Sequence, residues 1–493
     1  MGALMDEVDL VSRSIAILGC GVAGFGAAAG LLGSQRILRP VHILDETSPS
    51  QDASSKQDER YAVLRALGGV IHTGVDIDLP PEVDTVVASP GLPLNHRWVV
   101  AARERGLDVW GELELAWRAR LLGGSPNAPW LVITGTNGKT TTTMMTDSIM
   151  KAAGWASLAV GNIGQSIVDA VAGPEKYEVF VVEASAQQLA LVETMSPYAS
   201  VVLNIAPDHL DYFESMDDYR QAKARVYERT QVATLWNDTD PGTLRMLEAA
   251  DVVEGCRAIG FTVATPSPSM IGIQDELVLD RAFLVERRTH AIELCEVSDI
   301  RPMAAHNVLN AMAAAGLARS LDVAPSAVKQ GLRDFQPAPH RIATVAIVDE
   351  VTFINDSKAT NEHAAGMSLS SYSSVIWIAG GLAKGQDFAP LVRKYATNIK
   401  AVILIGRERE LIASALREHA PQVPIFEISD APAESIMKEV VQQARAQAAP
   451  GDTVLLAPGC SSWDLFPGGY AQRGEAFEAA VRSAVSQSTV GQV

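Results

Sequence analysis

Short runs rich in β-branched residues alternate with alanine- and leucine-rich helical patterns along almost the whole chain. This alternation is typical of α/β folds, in which helices wrap parallel sheets. Nine runs are predicted to be strands: Ile15–Leu18, Val41–Leu44, Thr85–Ala88, Leu131–Thr134, Val179–Glu183, Val201–Leu203, Val375–Ala379, Val402–Ile405 and Thr453–Leu456. Ligands of open α/β sheets bind at the carboxyl ends of strands, so we expect the site among the residues that follow these runs.

The length of 493 residues predicts about three domains. One break in the pattern lies near Gly111 and is followed by a loop at 123–129, and a second lies in the proline-rich segment 336–339. These breaks place the domains at residues 1–112, 113–338 and 339–493. Residues 237–300 have weaker helical periodicity and several β-like runs, so they are predicted to form an appendage of the middle domain.

The overall charge of the chain limits its partners. Forty Lys and Arg residues against fifty-eight Asp and Glu residues give a net charge of −18. Such a balance disfavours binding to nucleic acid or to anionic lipid through the general field of the protein. Any anionic ligand must therefore be held by local devices such as glycine-rich turns, lysines or metal ions.

The cysteines and the first residues indicate a cytoplasmic protein. The four cysteines fit neither a disulfide framework nor a zinc site, and the first ten residues lack the basic segment of a signal peptide. Residues 14–35 carry no charge and are long enough to cross a bilayer. Because this stretch is dense in glycine and alanine and holds the motif described next, no membrane insertion is predicted.

The first motif is Gly19-Cys-Gly21-Val-Ala-Gly24, between the first predicted strand and a helix, with Asp45 at the end of the next strand. Glycines in such a turn permit close approach of a phosphate, the helix N-terminus favours the anion, and the acid can bind a sugar hydroxyl. The motif predicts a site for a nucleotide diphosphate but does not identify the nucleotide. A glycine-rich structural turn is the alternative.

The second motif also joins a strand to a helix and resembles a Walker A loop shortened by two residues between its glycines. Its members are Gly135, Thr136, Asn137, Gly138, Lys139, Thr140 and Thr141. Backbone N–H groups of such a loop hold phosphates, Lys139 would reach the β- and γ-phosphates, and the Thr140 hydroxyl would ligate Mg²⁺. The motif therefore predicts ATP binding.

With its shortened loop, the chain resembles the Mur ligase family of ATP-dependent amide ligases. Further motifs follow in the family's order and spacing: GNIG at 161–164, EASAQQL at 183–189, NIAPDHLD at 204–211, YRQAK at 219–223, HR at 340–341, NDSKATN at 355–361, GGLAK at 380–384 and SSWD at 461–464. Within the family, these motifs are most similar to those of the branch that joins D-glutamate to UDP-N-acetylmuramoyl-L-alanine.

The resemblance implies a fold and a reaction. The fold would be three α/β domains: a Rossmann-like N-terminal domain for the UDP substrate, a central P-loop ATPase domain with a parallel sheet, and a Rossmann-like C-terminal domain for the amino acid. The substrate carboxylate would attack the γ-phosphate of ATP to give an acyl phosphate, and an amine would then displace phosphate. The reaction would belong to the synthesis of peptidoglycan precursors in the cytoplasm, and we expect a monomer.

The resemblance also implies two Mg²⁺ sites. Thr140 and Glu183 would hold the first ion, and His209 and Lys223 would serve the second. Lysine is a poor metal ligand, so the family pattern implies that CO₂ converts Lys223 to a carbamate, which carries a carboxylate. The helical pattern alone predicts instead that Lys223 is a surface lysine. Lys139, Glu183, His209 and Lys223 are therefore the predicted catalytic residues.

The other predicted contacts are carried over position by position. ATP would also meet Asn307, Asn310, Arg341, Asp356 and Lys358. The UDP substrate would meet Gly19, Gly21, Gly24, Asp45, Ser89, Asn162, Ser185 and Gln188. D-glutamate would meet Thr360, Lys384, Ser462 and Tyr470. Without the resemblance, the alternative for the asparagines at 307 and 310 is that they are exposed helix residues.

Some positions depart from the family pattern. Ala186 and Gln187 replace a hydroxyl and an aromatic residue, and Pro207 stands where an acid is common. These changes bear on the choice of substrate, so a sibling ligase with another amino acid or acceptor is one alternative. A non-catalytic P-loop ATPase is another, and a nicotinamide oxidoreductase would leave Lys139, Glu183 and Lys223 without a role.

Overall fold

The alternating pattern folds into three sheets, of five, nine and six strands. The computed structural model describes residues 10–47, 55–208, 212–302, 304–337, 340–429 and 432–490. It divides into two compact units, Met1–Ile300 with Val308–Phe335, and Arg301–Asn307 with Gln336–Val493. The first two sheets lie in the first unit and the third sheet in the second. The α/β class is thus confirmed, whereas the three-domain division stays a prediction, and its second junction at 338–339 lies outside the described residues.

The first sheet has the order β3-β2-β1-β4-β5 and is parallel throughout. Its three central strands are fully buried, whereas β3 has no buried residue and β5 is buried only at its last two residues, as expected of edge strands. The elements of this region are β1 (Ile15–Leu18), α1 (Val22–Gly33), β2 (Val41–Asp45), α2 (Lys56–Ala66), β3 (Val70–Thr73), β4 (Thr85–Ala88), α3 (Arg97–Glu104), β5 (Asp108–Gly111) and α4 (Glu112–Ala119).

The second sheet has the order β14-β13-β12-β11-β10-β9-β6-β8-β7, and only the pairs β14-β13 and β13-β12 are antiparallel. The predicted appendage at 237–300 supplies strands that continue this sheet at one edge. The elements are β6 (Trp130–Thr134), α5 (Lys139–Ala152), β7 (Ser157–Gly161), α6 (Ile167–Ala172), β8 (Val179–Glu183), α7 (Ala186–Leu189), β9 (Ala199–Val202), α8 (Met216–Ala224), β10 (Ala233–Asn237), α9 (Pro241–Glu248), β11 (Arg257–Phe261), β12 (Met270–Gln274), β13 (Leu277–Asp280), β14 (Ile292–Glu296), α10 (Ala305–Arg319) and α11 (Pro325–Asp334).

The third sheet has the order β15-β16-β20-β17-β18-β19 and is parallel except for the hairpin of β15 and β16. Helices cover both faces, with Trp377 buried on one face and Phe353 on the other. The elements are β15 (Ala343–Val348), β16 (Val351–Asn355), α12 (Glu362–Leu369), β17 (Val375–Gly380), α13 (Ala389–Tyr395), β18 (Ile399–Ile405), α14 (Arg409–His419), β19 (Ile425–Glu427), α15 (Ala433–Gln447), β20 (Thr453–Leu456) and α16 (Gly469–Val490).

All nine predicted strands are present, with ends displaced by at most three residues. Within the first unit, α1 packs tightly on α6, because a Cβ atom at Gly30 would lie 2.6 Å from the backbone nitrogen of Asp169. This close approach brings the glycine-rich turn before α1 next to the loop that follows β7. The first two sheets therefore share one cavity.

Candidate active site

The shortened loop lies between β6 and α5 and keeps its glycines in the left-handed region. Gly135 has a φ of 150° and Gly138, the residue that caps α5, has a φ of 85°. The backbone N–H of Asn137 donates to the side-chain oxygen of Asn204 at 2.9 Å. A loop of this form at a helix N-terminus is a ready-made binding site for phosphate.

Gly138 leaves no room for a side chain. A Cβ atom there would lie 2.4 Å from Oδ1 of Asn310, whereas Gly154, with a nearly identical φ of 84°, faces open space. We expect Gly154→Ala to cost only the backbone strain of about 1–2 kcal/mol. Gly138→Ala carries the same strain, and it should also displace the loop and weaken ATP binding about 100-fold. Equal ATP affinity of the two variants in calorimetric titrations would contradict this account of the loop.

Two lysine side chains meet at one carbonyl oxygen of the loop. The oxygen of Gly135 accepts hydrogen bonds from Nζ of Lys139 at 2.9 Å and from Nζ of Lys223 at 2.8 Å. Lys223 is only 2% exposed, so the surface position predicted by its helical pattern is wrong. Burial, together with the charge of Lys139, lowers the pKa of Lys223 well below its usual value, against the opposing effect of Asp208 and Glu183. Burial therefore favours the uncharged amine of Lys223 over its ammonium form.

Tyr219 fixes the position of this lysine on α8. Its hydroxyl lies 3.0 Å from the hydroxyl of Thr136, and its ring centroid lies 4.9 Å from Nζ of Lys223. Tyr219 is 1% exposed, and burial raises the pKa of its hydroxyl. The sequence analysis did not select Tyr219, although it begins the YRQAK motif. Its contacts tie α8 to the phosphate loop.

Glu183 ends β8 and lies beside the same loop, because β8 pairs with β6. Its Oε1 accepts from Nδ2 of Asn162 at 2.9 Å, while its buried Oε2 has no hydrogen-bond partner. An unpartnered carboxylate oxygen in a buried site suits a divalent cation. Among the described residues no group of three or more His, Cys, Asp or Glu side chains could hold a metal ion, and the predicted ligand His209 lies outside those residues.

The glycine-rich turn opens on a cavity of about 660 Å³. Six of the eight residues predicted to contact the UDP substrate line it: Gly19, Gly21, Gly24, Ser89, Asn162 and Gln188. A Cβ atom at Gly24 would lie 1.9 Å from the carbonyl oxygen of Gly19, so the turn depends on this glycine. Glu112 also lines the cavity.

The other two predicted UDP contacts take part in local structure. The carboxylate of Asp45 accepts from the backbone N–H of Cys20 at 3.0 Å and from Nε2 of Gln57 at 2.8 Å. These hydrogen bonds stabilise the glycine-rich turn. Ser185 caps α7 by accepting from the backbone N–H of Gln188 at 3.2 Å. Neither residue lines the cavity, and their predicted roles stay predictions.

The second unit organises its predicted nucleotide contacts around one buried arginine. Arg473 is 1% exposed and donates to the hydroxyl of Ser357 at 2.9 Å and to the carbonyl oxygen of Cys460 at 3.1 Å. It thereby joins the loop that holds Asp356 and Lys358 to the loop that holds Ser462. Burial raises the pKa of Asp356 to about 6 against the effect of Arg341 and a hydrogen bond from Ser368.

The predicted amino-acid contacts lie on loops of the third sheet. Ser462 is buried, Lys384 is exposed with a φ of 52°, and Thr360 precedes the cap of α12. The ring centroid of Tyr470 lies 3.9 Å from Nζ of Lys358, which connects a predicted glutamate contact to a predicted ATP contact.

The two asparagines of α10 are buried rather than exposed. Asn307 and Asn310 are both 4% exposed, and Nδ2 of Asn307 donates to the carbonyl oxygen of Pro302 at 3.0 Å. Asn310 lies against Gly138 of the phosphate loop. Exposed helix positions are thus excluded for both residues, and their contact with ATP remains a prediction.

None of the helices in the described ranges is both long and apolar enough to span a membrane.

Comparison with family models agrees with this geometry. Residues 133–318 match the model described as "Mur ligase middle domain", and residues 340–460 match the model described as "Mur ligase, glutamate ligase domain". The first match includes the phosphate loop, Glu183 and Lys223, and the second includes Arg341, Lys358 and Lys384.

Curated relatives match nearly the whole chain. The UDP-N-acetylmuramoylalanine–D-glutamate ligase of Streptomyces avermitilis is 47% identical over 470 residues, which cover 95% of this chain and 98% of the relative. The ligase of the same name from Streptomyces coelicolor is 47% identical over 96% of this chain and 98% of its own length. Among solved structures, MurF ligase from Thermotoga maritima in complex with ADP aligns over 97% of this chain and 99% of that chain, with a TM-score of 0.57 and 14% identity. At that identity the likeness shows the fold alone.

Proposed function

The chain belongs to the Mur ligase family, and we propose that it joins D-glutamate to the carboxyl group of UDP-N-acetylmuramoyl-L-alanine with hydrolysis of ATP to ADP and phosphate. The observation that carries this proposal is the 47% identity, over 95% of the chain, to a ligase named for this reaction. The fold alone does not identify which substrate a Mur ligase adds. MurF and the alanine-adding MurC, both of Thermotoga maritima, each have a TM-score above 0.5 with this chain.

The phosphate loop would bind the polyphosphate of ATP. Mur ligases use ATP and Mg²⁺. The N–H groups before α5 and the ammonium group of Lys139 supply positive potential where the γ-phosphate accepts the attacking carboxylate. In the structure, Nζ of Lys139 donates to the carbonyl oxygens of Gly135 and Thr136. The side chain is therefore held at the phosphate loop, close to where the phosphates of ATP would bind.

The residues present fit a magnesium ion at this loop. Thr140 supplies a hydroxyl in the first turn of α5, and Glu183 supplies the buried carboxylate oxygen that has no partner. Bound Mg²⁺ would neutralise charge that develops on the phosphate oxygens. Asn162 holds the other oxygen of Glu183 and so fixes the carboxylate for that task.

Carbamylation of Lys223 is supported by its environment. An amine reacts with CO₂ only when it is uncharged: its nitrogen bonds to the carbon, and the proton that it loses goes to solvent, which leaves a carbamate anion. Burial lowers the pKa of Lys223 and so favours the uncharged amine. The product carboxylate would be a hard oxygen ligand for the second Mg²⁺, with His209 as the partner that the family pattern implies.

The second unit would bind the amino acid. Thr360, Lys384 and Ser462 offer hydroxyl and ammonium donors, which a dicarboxylate requires. Tyr470 would contribute a ring beside Lys358. The proposed division of labour gives residues 1–112 the UDP substrate, 113–338 ATP and 339–493 the amino acid, in a cytoplasmic monomer that supplies peptidoglycan precursors.

The test is phosphate release by the purified protein with UDP-N-acetylmuramoyl-L-alanine, ATP and Mg²⁺, with each amino acid added in turn. We expect release that depends on D-glutamate and on the acceptor, and no comparable rate with L-glutamate, L-alanine or diaminopimelate. A rate that depends on another amino acid would identify a sibling ligase. A rate that is independent of both substrates would identify an ATPase.

A further inference from the structure

Glu112 occupies an unexpected place on the cavity wall. It is the first residue of α4, directly after the end of β5, and it is 4% exposed. Among the described residues that line the cavity it is the only ionisable one. A cavity proposed to hold a UDP-linked substrate therefore carries a single titratable group of its own, and that group is an acid.

The hydrogen bonds around Glu112 fix which atoms face it. The backbone N–H of Ser185 donates to Oε1 of Gln188 at 3.0 Å, so the amide nitrogen of Gln188 must point the other way. That nitrogen donates to Oε2 of Glu112 at 3.0 Å. Since a backbone N–H is only a donor, the orientation of Gln188 is determined, and Oε2 of Glu112 is an acceptor. The carboxyl oxygen that Gln188 does not hold is therefore Oε1.

A second polar group on the same wall also lacks a protein partner. The hydroxyl oxygen of Ser166 is buried, lines the cavity and completes no hydrogen bond with a protein group. Buried polar atoms are seldom left unsatisfied, so a hydroxyl without a completed hydrogen bond next to Glu112 favours a polar ligand at this wall.

The charge state of Glu112 changes near neutral pH. Burial raises the pKa of its carboxyl to about 7, against the opposing effect of the polar side chains of Gln188 and Ser166. Gln188 of α7 and Ser166 before α6 are neutral, and no charged group of the described residues contributes to the shift. Above pH 7 the carboxylate is therefore an acceptor only.

We propose that Glu112 determines specificity for the acceptor by receiving, on the oxygen that Gln188 does not hold, an N–H or O–H donor of its sugar–peptide half. This inference rests on the proposed function. A carboxylate repels a pyrophosphate, so Glu112 also fixes the direction of binding. The phosphates lie on the glycine-rich turn before α1, and the sugar–peptide half runs past Glu112 towards Asn162, which contacts Glu183.

The test compares wild type with Glu112→Gln by calorimetric titration of UDP-N-acetylmuramoyl-L-alanine in the absence of ATP. The introduced amide would keep an oxygen acceptor for Gln188 but would turn its NH₂ group to the donor of the ligand. We expect about 10- to 100-fold weaker binding of the acceptor at pH 8, because a hydrogen bond to a charged group is lost. Affinity for UDP, which lacks the sugar–peptide half, should be unchanged at that pH.

The pH dependence of acceptor affinity is an independent test of the role of Glu112. Wild-type affinity for the acceptor should rise as pH increases through about 7 and then level off, since the deprotonated carboxyl is the better acceptor. In Glu112→Gln this rise should be absent. Melting temperatures show that the variant is folded, and at pH 8 it should melt no lower than wild type because it no longer buries a charge.

Glu114→Gln is the matched control. Glu114 lies on the same helix and is fully buried, but its carboxylate accepts from Nε of Arg118 and from the backbone N–H of Glu193, both at 2.8 Å, and it does not line the cavity. Its replacement should lower the melting temperature without changing acceptor affinity or its pH dependence. Equal acceptor binding by Glu112→Gln and wild type, or an equal loss of UDP binding, would overturn the inference. If wild type binds no acceptor at all, the proposed function itself is wrong.

Discussion

Lys223→Ala is expected to reduce ligase activity by about a thousandfold while leaving the protein folded. The change removes a side chain that lies 2.8 Å from the carbonyl oxygen of the phosphate loop and is fully enclosed beside Glu183 and Asp208. If the active form is a carbamate, the loss is that of a metal ligand as well as of a positioned group. Steady-state phosphate release at saturating substrates measures the effect.

Chemical rescue separates a carbamate from a structural lysine. Acetate, propionate and other short carboxylates can occupy the space vacated in Lys223→Ala and supply the missing anion, whereas short alkylamines supply the cation. We expect partial recovery with carboxylates and none with amines. Lys151→Ala is the control for the loss of a lysine outside the site. The side chain of Lys151 is 58% exposed and pairs with Asp147, and both residues lie on α5. Rescue by amines, or full activity of Lys223→Ala, would contradict the carbamate.

Glu183→Gln should also reduce activity by about a thousandfold, but it should not destabilise the protein. The amide retains an oxygen that can accept from Asn162, and it removes a charge from a buried oxygen that has no partner. A buried uncompensated charge costs folding free energy, so its removal should leave the free energy of unfolding unchanged or raise it. Urea unfolding without Mg²⁺ and phosphate release with Mg²⁺ measure the two effects.

The matched control for Glu183→Gln is Glu114→Gln, which replaces a buried carboxylate whose two oxygens both accept from protein groups. There the expected pattern is reversed: the free energy of unfolding falls, and activity of the folded fraction is kept. If Glu183→Gln instead lost stability and kept its rate, Glu183 would be a structural acid, and the magnesium site proposed around it would be wrong.

The fold could be predicted where its strands are buried at every position. Strands such as β1 and β8 are buried at every position and were found from the sequence, whereas β3 (VIHT) and β5 (DVWG) lie at sheet edges and carry polar residues. Since β5 is not among the predicted strands, the sequence does not single out the residue at its end, and Glu112 is recognised only in the structure. An acid directly after a strand-ending glycine was the available signal.

The site was predictable where its chemistry is local. The glycines of the phosphate loop and Lys139 lie within five residues, and their spacing alone predicts a phosphate site. Lys223 is different, because its burial follows from the packing of α8 against a loop more than 80 residues earlier in the chain. Arg473 likewise joins loops that precede it by 13 and 116 residues. Tertiary contacts of this kind leave no periodic pattern in the sequence.

The route of one oxygen atom tests the ligase most directly. The acceptor is prepared with ¹⁸O in its alanyl carboxylate and incubated with the protein, ATP, Mg²⁺ and D-glutamate. An acyl phosphate requires that a carboxylate oxygen attack the γ-phosphate and leave with it when the amine adds, so the released phosphate should carry one ¹⁸O and form in equal amount with a product extended by D-glutamate. Unlabelled phosphate, or phosphate formed equally without D-glutamate, would contradict the account.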